Sequence, residues 1–125
     1  MTVDEVVWFI NHKYGEQAWF IETDKAIEIY TTKSKWLIMK NDYKNFHIYT
    51  LFHFNNCEGA HYHMQRRGYN LDYLVYQAIM HDNDTIFSTD DTWKEFNRSW
   101  EMYKLGREIE ERAIVWNWLA GKSNI

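Results

Sequence analysis

No proline occurs in this chain of 125 residues, and Cys57 is its only cysteine. One thiol cannot close a disulfide within the chain, so a disulfide-stapled scaffold is excluded and a reducing, cytoplasmic setting is expected. No apolar run approaches the roughly 18 residues that a membrane span requires. The opening MTVDEVVWFI carries acids where a secretory signal would carry lysines. Five glycines are scattered without a phosphate-cradling pattern. Repeats, low-complexity tracts and linkers are also lacking. These absences lead to the expectation of one soluble domain, residues 1–125, with no membrane association. A chain of this length buries about two thirds of its unfolded surface and folds without disulfide or metal.

Aromatic residues are abundant instead. They make up 18% of the chain, with seven Trp and nine Tyr. Each offers roughly 150–250 Å² of surface, more in sum than one small core easily hides. A core that is aromatic rather than aliphatic accounts for part of the excess. The remainder is expected on the surface, where Tyr and Trp anchor protein interfaces.

The hydrophobic period changes twice along the chain. Thr2 and Glu5 stand at capping-box spacing, and Val3, Val6, Val7 and Ile10 fall on one helical face before Gly15. The segments AWFIE, AIEIYT, WLIMK, FHIYTLFHF and HYHMQR then read as strands. Their separators are too short for crossover helices, so the strands should pair antiparallel as a meander. In the fourth strand Phe46, Ile48, Phe52 and Phe54 share one face with Thr50, and this set reads as the core face. His47, Tyr49, Leu51 and His53 share the other. Asn70 opens a second helical pattern through Leu71, Leu74, Val75, Ala78 and Ile79. HDNDT breaks it and STDD supplies the next cap. Trp93, Phe96, Trp100 and Tyr103, then Ile109, Ala113, Trp116 and Ala120, continue at helical spacing to Gly121, with Gly106 a candidate interruption. The expected fold is α+β: an N-terminal helix, five strands, then two or three C-terminal helices packed on the sheet.

A formal net charge of −4 conceals a division. Both flanks are acidic, whereas residues 33–70 carry Lys33, Lys35, Lys40, Lys44, Arg66 and Arg67 against Asp42 and Glu58. A basic, aromatic sheet of this kind is able to bind single-stranded nucleic acid. Against that reading, six cations are few, and acidic helices repel a polyanion. Ordinary solvated charge or a charged protein-binding face explains the same division. In the C-terminal helices Lys and Arg intersperse the acids, and Glu108 with Arg112 reads as i,i+4 helix support rather than phosphate mimicry.

The segment HFNNCEGAHYH gathers His53, Cys57, His61 and His63. On a strand His61 and His63 point the same way, about 7 Å apart, and a thiolate from the loop would complete a mixed ligand set that zinc accepts. The spacing lacks a CxxC knuckle, and His alternating with Tyr is also an ordinary half-buried strand. A hairpin without metal is the expected reading, and zinc at His53, Cys57, His61 and His63 is the alternative. Cys57 beside a histidine imitates a nucleophile–base pair, and His81, Asp82 and Asp84 imitate a cation loop. Turn propensity explains both. The sequence offers no basis for calling the protein an enzyme, and no cofactor is expected.

A compact, proline-free chain rich in Asn, Lys, Ile and Tyr resembles, in size and composition, the accessory proteins of phages and mobile elements in low-GC bacteria. Many of these inhibit host machinery, and anti-CRISPR proteins are one example. The resemblance implies a small binding protein that occupies a macromolecular partner, such as a host nucleic-acid-processing machine. Exposed aromatics beside charge are the expected contact residues: Tyr43, Tyr49, Tyr62, Arg66, Arg67 and Tyr69. The tryptophans from Trp93 to Trp118 read first as core residues, and a homodimer through this Trp-rich segment is the alternative.

Overall fold

Thr2 opens the first helix as its spacing predicts. In the computed structural model, which describes residues 1–43, 45–55, 61–81 and 89–123 (backbone alone at 43, 55, 61–63, 122 and 123), the Thr2 hydroxyl accepts from the Glu5 backbone N–H. The Glu5 carboxylate accepts from the Thr2 backbone N–H in return. This reciprocal cap satisfies two donors that a helix start leaves unpaired. Helix α1 runs from Val3 to Tyr14, buries Val3, Val6, Val7, Phe9 and Ile10, and ends at Gly15 in the left-handed conformation, φ 69°. The Asn11 side chain then donates to the Ala18 carbonyl and accepts from the Ala18 N–H, both at 2.9 Å, which fixes where the chain turns into the sheet.

Five strands follow: β1 (Trp19–Glu22), β2 (Ala26–Tyr30), β3 (Lys35–Tyr43), β4 (Phe46–Asn55) and β5 (His61–Gly68). Each pairs antiparallel with its sequence neighbour, giving the order β1-β2-β3-β4-β5 expected of a meander. Turn chemistry sets the β2–β3 connection, where the Thr31 hydroxyl accepts from the Lys33 and Ser34 backbone N–H groups. Between β4 and β5 the register slips: Leu51 faces Arg66 while Phe52 faces Met64. Gln65 is the extra residue of a bulge.

The core lies on one side of this sheet. Ile27, Ile29, Trp36, Ile38 and Leu51 are each at most 5% exposed, and they occupy cross-strand positions of one face. Helix α2 (Leu71–His81) covers that face and packs in turn against α1. Every residue of α2 from Leu74 to Met80 is buried, as befits a helix with neighbours on more than one side. The expected core face of β4 is therefore corrected: Leu51 and His53 face α2, and Phe46, Ile48, Phe52 and Phe54 lie on the opposite side. Alternation on β4 gave two apolar sets, and the pairing of Leu51 with Ile38 and of His53 with Trp36 decided between them.

Residues Met1–Thr89 form one compact unit and Asp90–Ile125 a second. The second is a single helix, α3 (Asp90–Ser123), 34 residues long, or about 50 Å. It runs through Gly106 and past Gly121, where the sequence suggested a stop. A Cβ at Gly106 would meet nothing within 4 Å, so this glycine serves no close approach within the chain. Ion pairs Glu101–Lys104, Glu108–Arg112 and Arg107–Glu110 lie along its surface. Helix, antiparallel sheet, then helices is the expected α+β order. Among the described residues no helix is long and apolar enough to cross a membrane.

Candidate interaction surface

The sheet face opposite α2 is built from cross-strand rows. Trp19, Tyr30, Lys35 and Phe54 make one row; Ile21, Glu28, Leu37, Phe52 and Met64 make the next. Ala26, Met39, Thr50 and Arg67 follow, and then Asn41 with Ile48. Strand alternation puts all of these on the same side. Leu37, Phe52 and Phe54 are half-buried, whereas Trp19 (52%), Ile21 (51%), Phe46 (49%) and Met64 (56%) are exposed around them. The face is thus apolar at its centre and open at its margins.

One corner carries polar chemistry. The Trp19 and Tyr30 rings stack at 5.1 Å, with 7° between their planes. Tyr30 donates its hydroxyl to Glu28 at 2.7 Å, and Lys35 Nζ lies 5.3 Å from the Tyr30 ring centre and 4.0 Å from the Glu28 carboxylate. The hydrogen bond to Glu28 holds the Tyr30 phenol above its ordinary pKa, since ionising it would place two anions side by side. Lys35 and Arg67 are the cations at described strand positions of this face, and Glu28 offsets one of them.

The expected contact residues divide between the two sides. Arg67 faces outward opposite Thr50, while Arg66 pairs with Leu51 and Tyr49 with Gly68, on the side of α2. Tyr49 lines a shallow cleft of about 400 Å³ with Glu22, Asp24, Lys25 and Lys40, a mixed-charge rim. Tyr69 follows β5, is 68% exposed, and meets Phe46 edge-on at 6.1 Å. Tyr43 stands opposite Phe46 and Tyr62 opposite Phe54 in the register. Adjacent residues of a strand point apart, so Arg66 and Arg67 never form a pair.

The metal alternative is placed only in part. Cys57 lies outside the described residues, as do Asp82 and Asp84 of the HDND segment. His61 stands opposite Asn55 and His63 opposite His53. The His53 ring stacks on Trp36 at 4.0 Å and comes within 5.4 Å of the His81 ring. His81 therefore joins His53 through the packing of α2 on the sheet, a neighbour that sequence proximity could not supply. Among the described residues no three His, Cys, Asp or Glu side chains gather as a metal would need.

Sequence reasoning passed over Trp19, Ile21, Phe46 and Met64 as surface residues. Trp19 and Ile21 sit in the acidic first segment, away from the basic residues 33–70. The usable signal was the doubly apolar alternation of β3 and β4, which implies a second hydrophobic face once the pairing is known. No protein-family model, curated protein or solved structure matches the chain.

Proposed function

We propose that this is a small, non-enzymatic binding protein that occupies a protein partner through the outer face of its sheet. The observation that carries the reading is the set of exposed Trp19, Ile21, Phe46 and Met64 on the face that also holds half-buried Leu37, Phe52 and Phe54. Contiguous apolar surface of this kind marks interaction sites, and a desolvated aromatic anchor with a polar rim is how protein interfaces gain their affinity. The near-balanced charge of Lys35, Arg67 and Glu28 suits a protein better than a polyanion, which needs several unopposed cations. With the size and composition of the chain, the biological class it fits is a phage or mobile-element inhibitor of a host nucleic-acid-processing machine, of which an anti-CRISPR protein is an example.

Two readouts separate the general reading from the specific one. Trp19, Phe46 and Met64 are replaced together by Ser, with the thermal midpoint checked against the wild type. Cross-linking in bacterial lysate should yield a discrete partner with the wild type and lose it with the triple variant. An identical set of cross-linked proteins from both would remove the face from the proposal. Expression in a bacterium with active CRISPR immunity should restore plating of a targeted phage, and the triple variant should not. Wild-type protein without effect there, but with a face-dependent partner, would keep the binding reading and discard the anti-CRISPR class. Single substitutions refine the surface: Arg67→Ala should weaken partner binding several-fold and Arg66→Ala should leave it unchanged.

A further inference from the structure

From Glu101 to Leu119 every residue of α3 except the half-buried Tyr103 is exposed. Eight large hydrophobic side chains in this stretch are nevertheless between 47% and 70% accessible. Five of them, Met102, Leu105, Ile109, Trp116 and Leu119, recur at intervals of three and four residues, with Arg112 at the remaining position. That is the spacing of a coiled-coil seam. Gly106, Ala113 and Ala120 follow along one side of it at intervals of seven, where small residues allow a second helix to approach closely. Most helical stability in proteins comes from packing an amphipathic face, and this seam is the exposed apolar face that the second half of α3 offers.

We propose that two copies of the chain pair antiparallel through residues 102–119 of α3. The seam reads alike in both directions. Inverted about the point between Glu110 and Glu111, Met102 meets Leu119, Leu105 meets Trp116 and Ile109 meets Arg112, each a knob facing a complementary hole. Gly106 falls beside Ala113. Charge selects the direction. Arg112 already bonds to Glu108 of its own helix at 2.6 Å, and the antiparallel setting brings it within one residue of Glu108 of the partner subunit. Two arginines and two glutamates then alternate at the centre of the pair. A parallel setting would put Arg112 against its own copy in the seam, an unfavourable like-charge contact.

The area is sufficient. At their exposures the five seam side chains offer about 500 Å² per chain, and about 1,000 Å² for the pair reaches the lower bound of a specific interface. A membrane surface fits less well. Glu101, Glu108, Glu110 and Glu111 stand against Lys104, Arg107 and Arg112, and an interfacial helix needs a cationic polar face. The proposal is independent of the sheet surface described above and stands or falls separately.

Sedimentation velocity and native mass spectrometry of the full chain provide the test. The wild type should show twice the chain mass. Leu105→Asp and Trp116→Asp should each return the mass of one chain, and Ile114→Asp, on another side of the helix, should leave the pair intact. A second measurement introduces no charge. In a Cys57→Ser background, Leu105→Cys mixed with Trp116→Cys should oxidise to a linked dimer. Leu105→Cys alone should not, because its two copies would lie about 16 Å apart along the axis. A single-chain mass at every concentration, or a dimer that survives both Asp substitutions, would overturn the pairing. Cross-linking of Leu105→Cys to itself would overturn the antiparallel direction.

Discussion

Trp36 is fully buried at the middle of the sheet, stacked face to face on His53 and met edge-on by His81 at 5.0 Å. Removing it opens a cavity bordered by α2, which rigid neighbouring strands cannot refill. Trp36→Ala should lower the free energy of unfolding by about 3–5 kcal/mol in denaturant titrations. At the outer face the same aromatic chemistry is tuned by charge. The raised pKa of Tyr30 means that the folded state favours the neutral phenol. Its contribution is complete below the ordinary value of 10.0 and is lost as pH rises through the folded value. Subtracting the ultraviolet titration of Tyr30→Phe from that of the wild type should isolate one phenolate component above pH 10, and Glu28→Gln should move it down. A Tyr30 component at or below the ordinary value would refute the role of Glu28. Composition alone implied that some aromatics lie outside, yet it could not say which. Trp36 and Trp19 are both strand tryptophans, and only the pairing of β2 with its two neighbours places one within the core and the other in the open.

The elements were largely legible because their signals are local. Thr2 with Glu5, and Gly15 after the last apolar position, bound α1 as a cap and a left-handed stop. Thr2→Ala should cost about 1 kcal/mol, and Gly15→Ala about as much through its positive φ, both readable as a lowered thermal midpoint. The strands and their order followed from period and short separators. Three features were not local. The core face of β4 depended on its partners, since phenylalanines line one side and Leu51 and His53 the other. The continuity of α3 through Gly106 depended on the surrounding helix formers outweighing a glycine whose cost relative to alanine is about 1 kcal/mol. The division of Arg66 from Arg67 followed from strand alternation, but the residue facing each was shifted by a bulge at Gln65. Of the candidate surface, sequence therefore offered the ingredients, aromatic and basic residues around β3 to β5, without the side on which each would stand.

At the scale of the whole molecule, the sheet is assembled entirely from neighbours. Each strand pairs with the one made just before it, so most contacts join residues close in sequence, and such topologies fold quickly for their size. The chain also has no X–Pro bond whose isomerisation would delay it by about tens of seconds. Stopped-flow refolding should complete in under about a second, and any slower phase should accelerate with protein concentration, as assembly of two chains would require. A slow, concentration-independent phase would count against both statements. The same neighbour-to-neighbour order bears on synthesis. As the nascent chain leaves the ribosome, every strand after the first finds its partner already outside the tunnel. The buried side of the sheet, however, stays uncovered until α2 has followed β5 into solution. Translation thus creates an interval in which the pleated layer exists with both faces wet, and α2, buried throughout from Leu74 to Met80, is the piece that ends it.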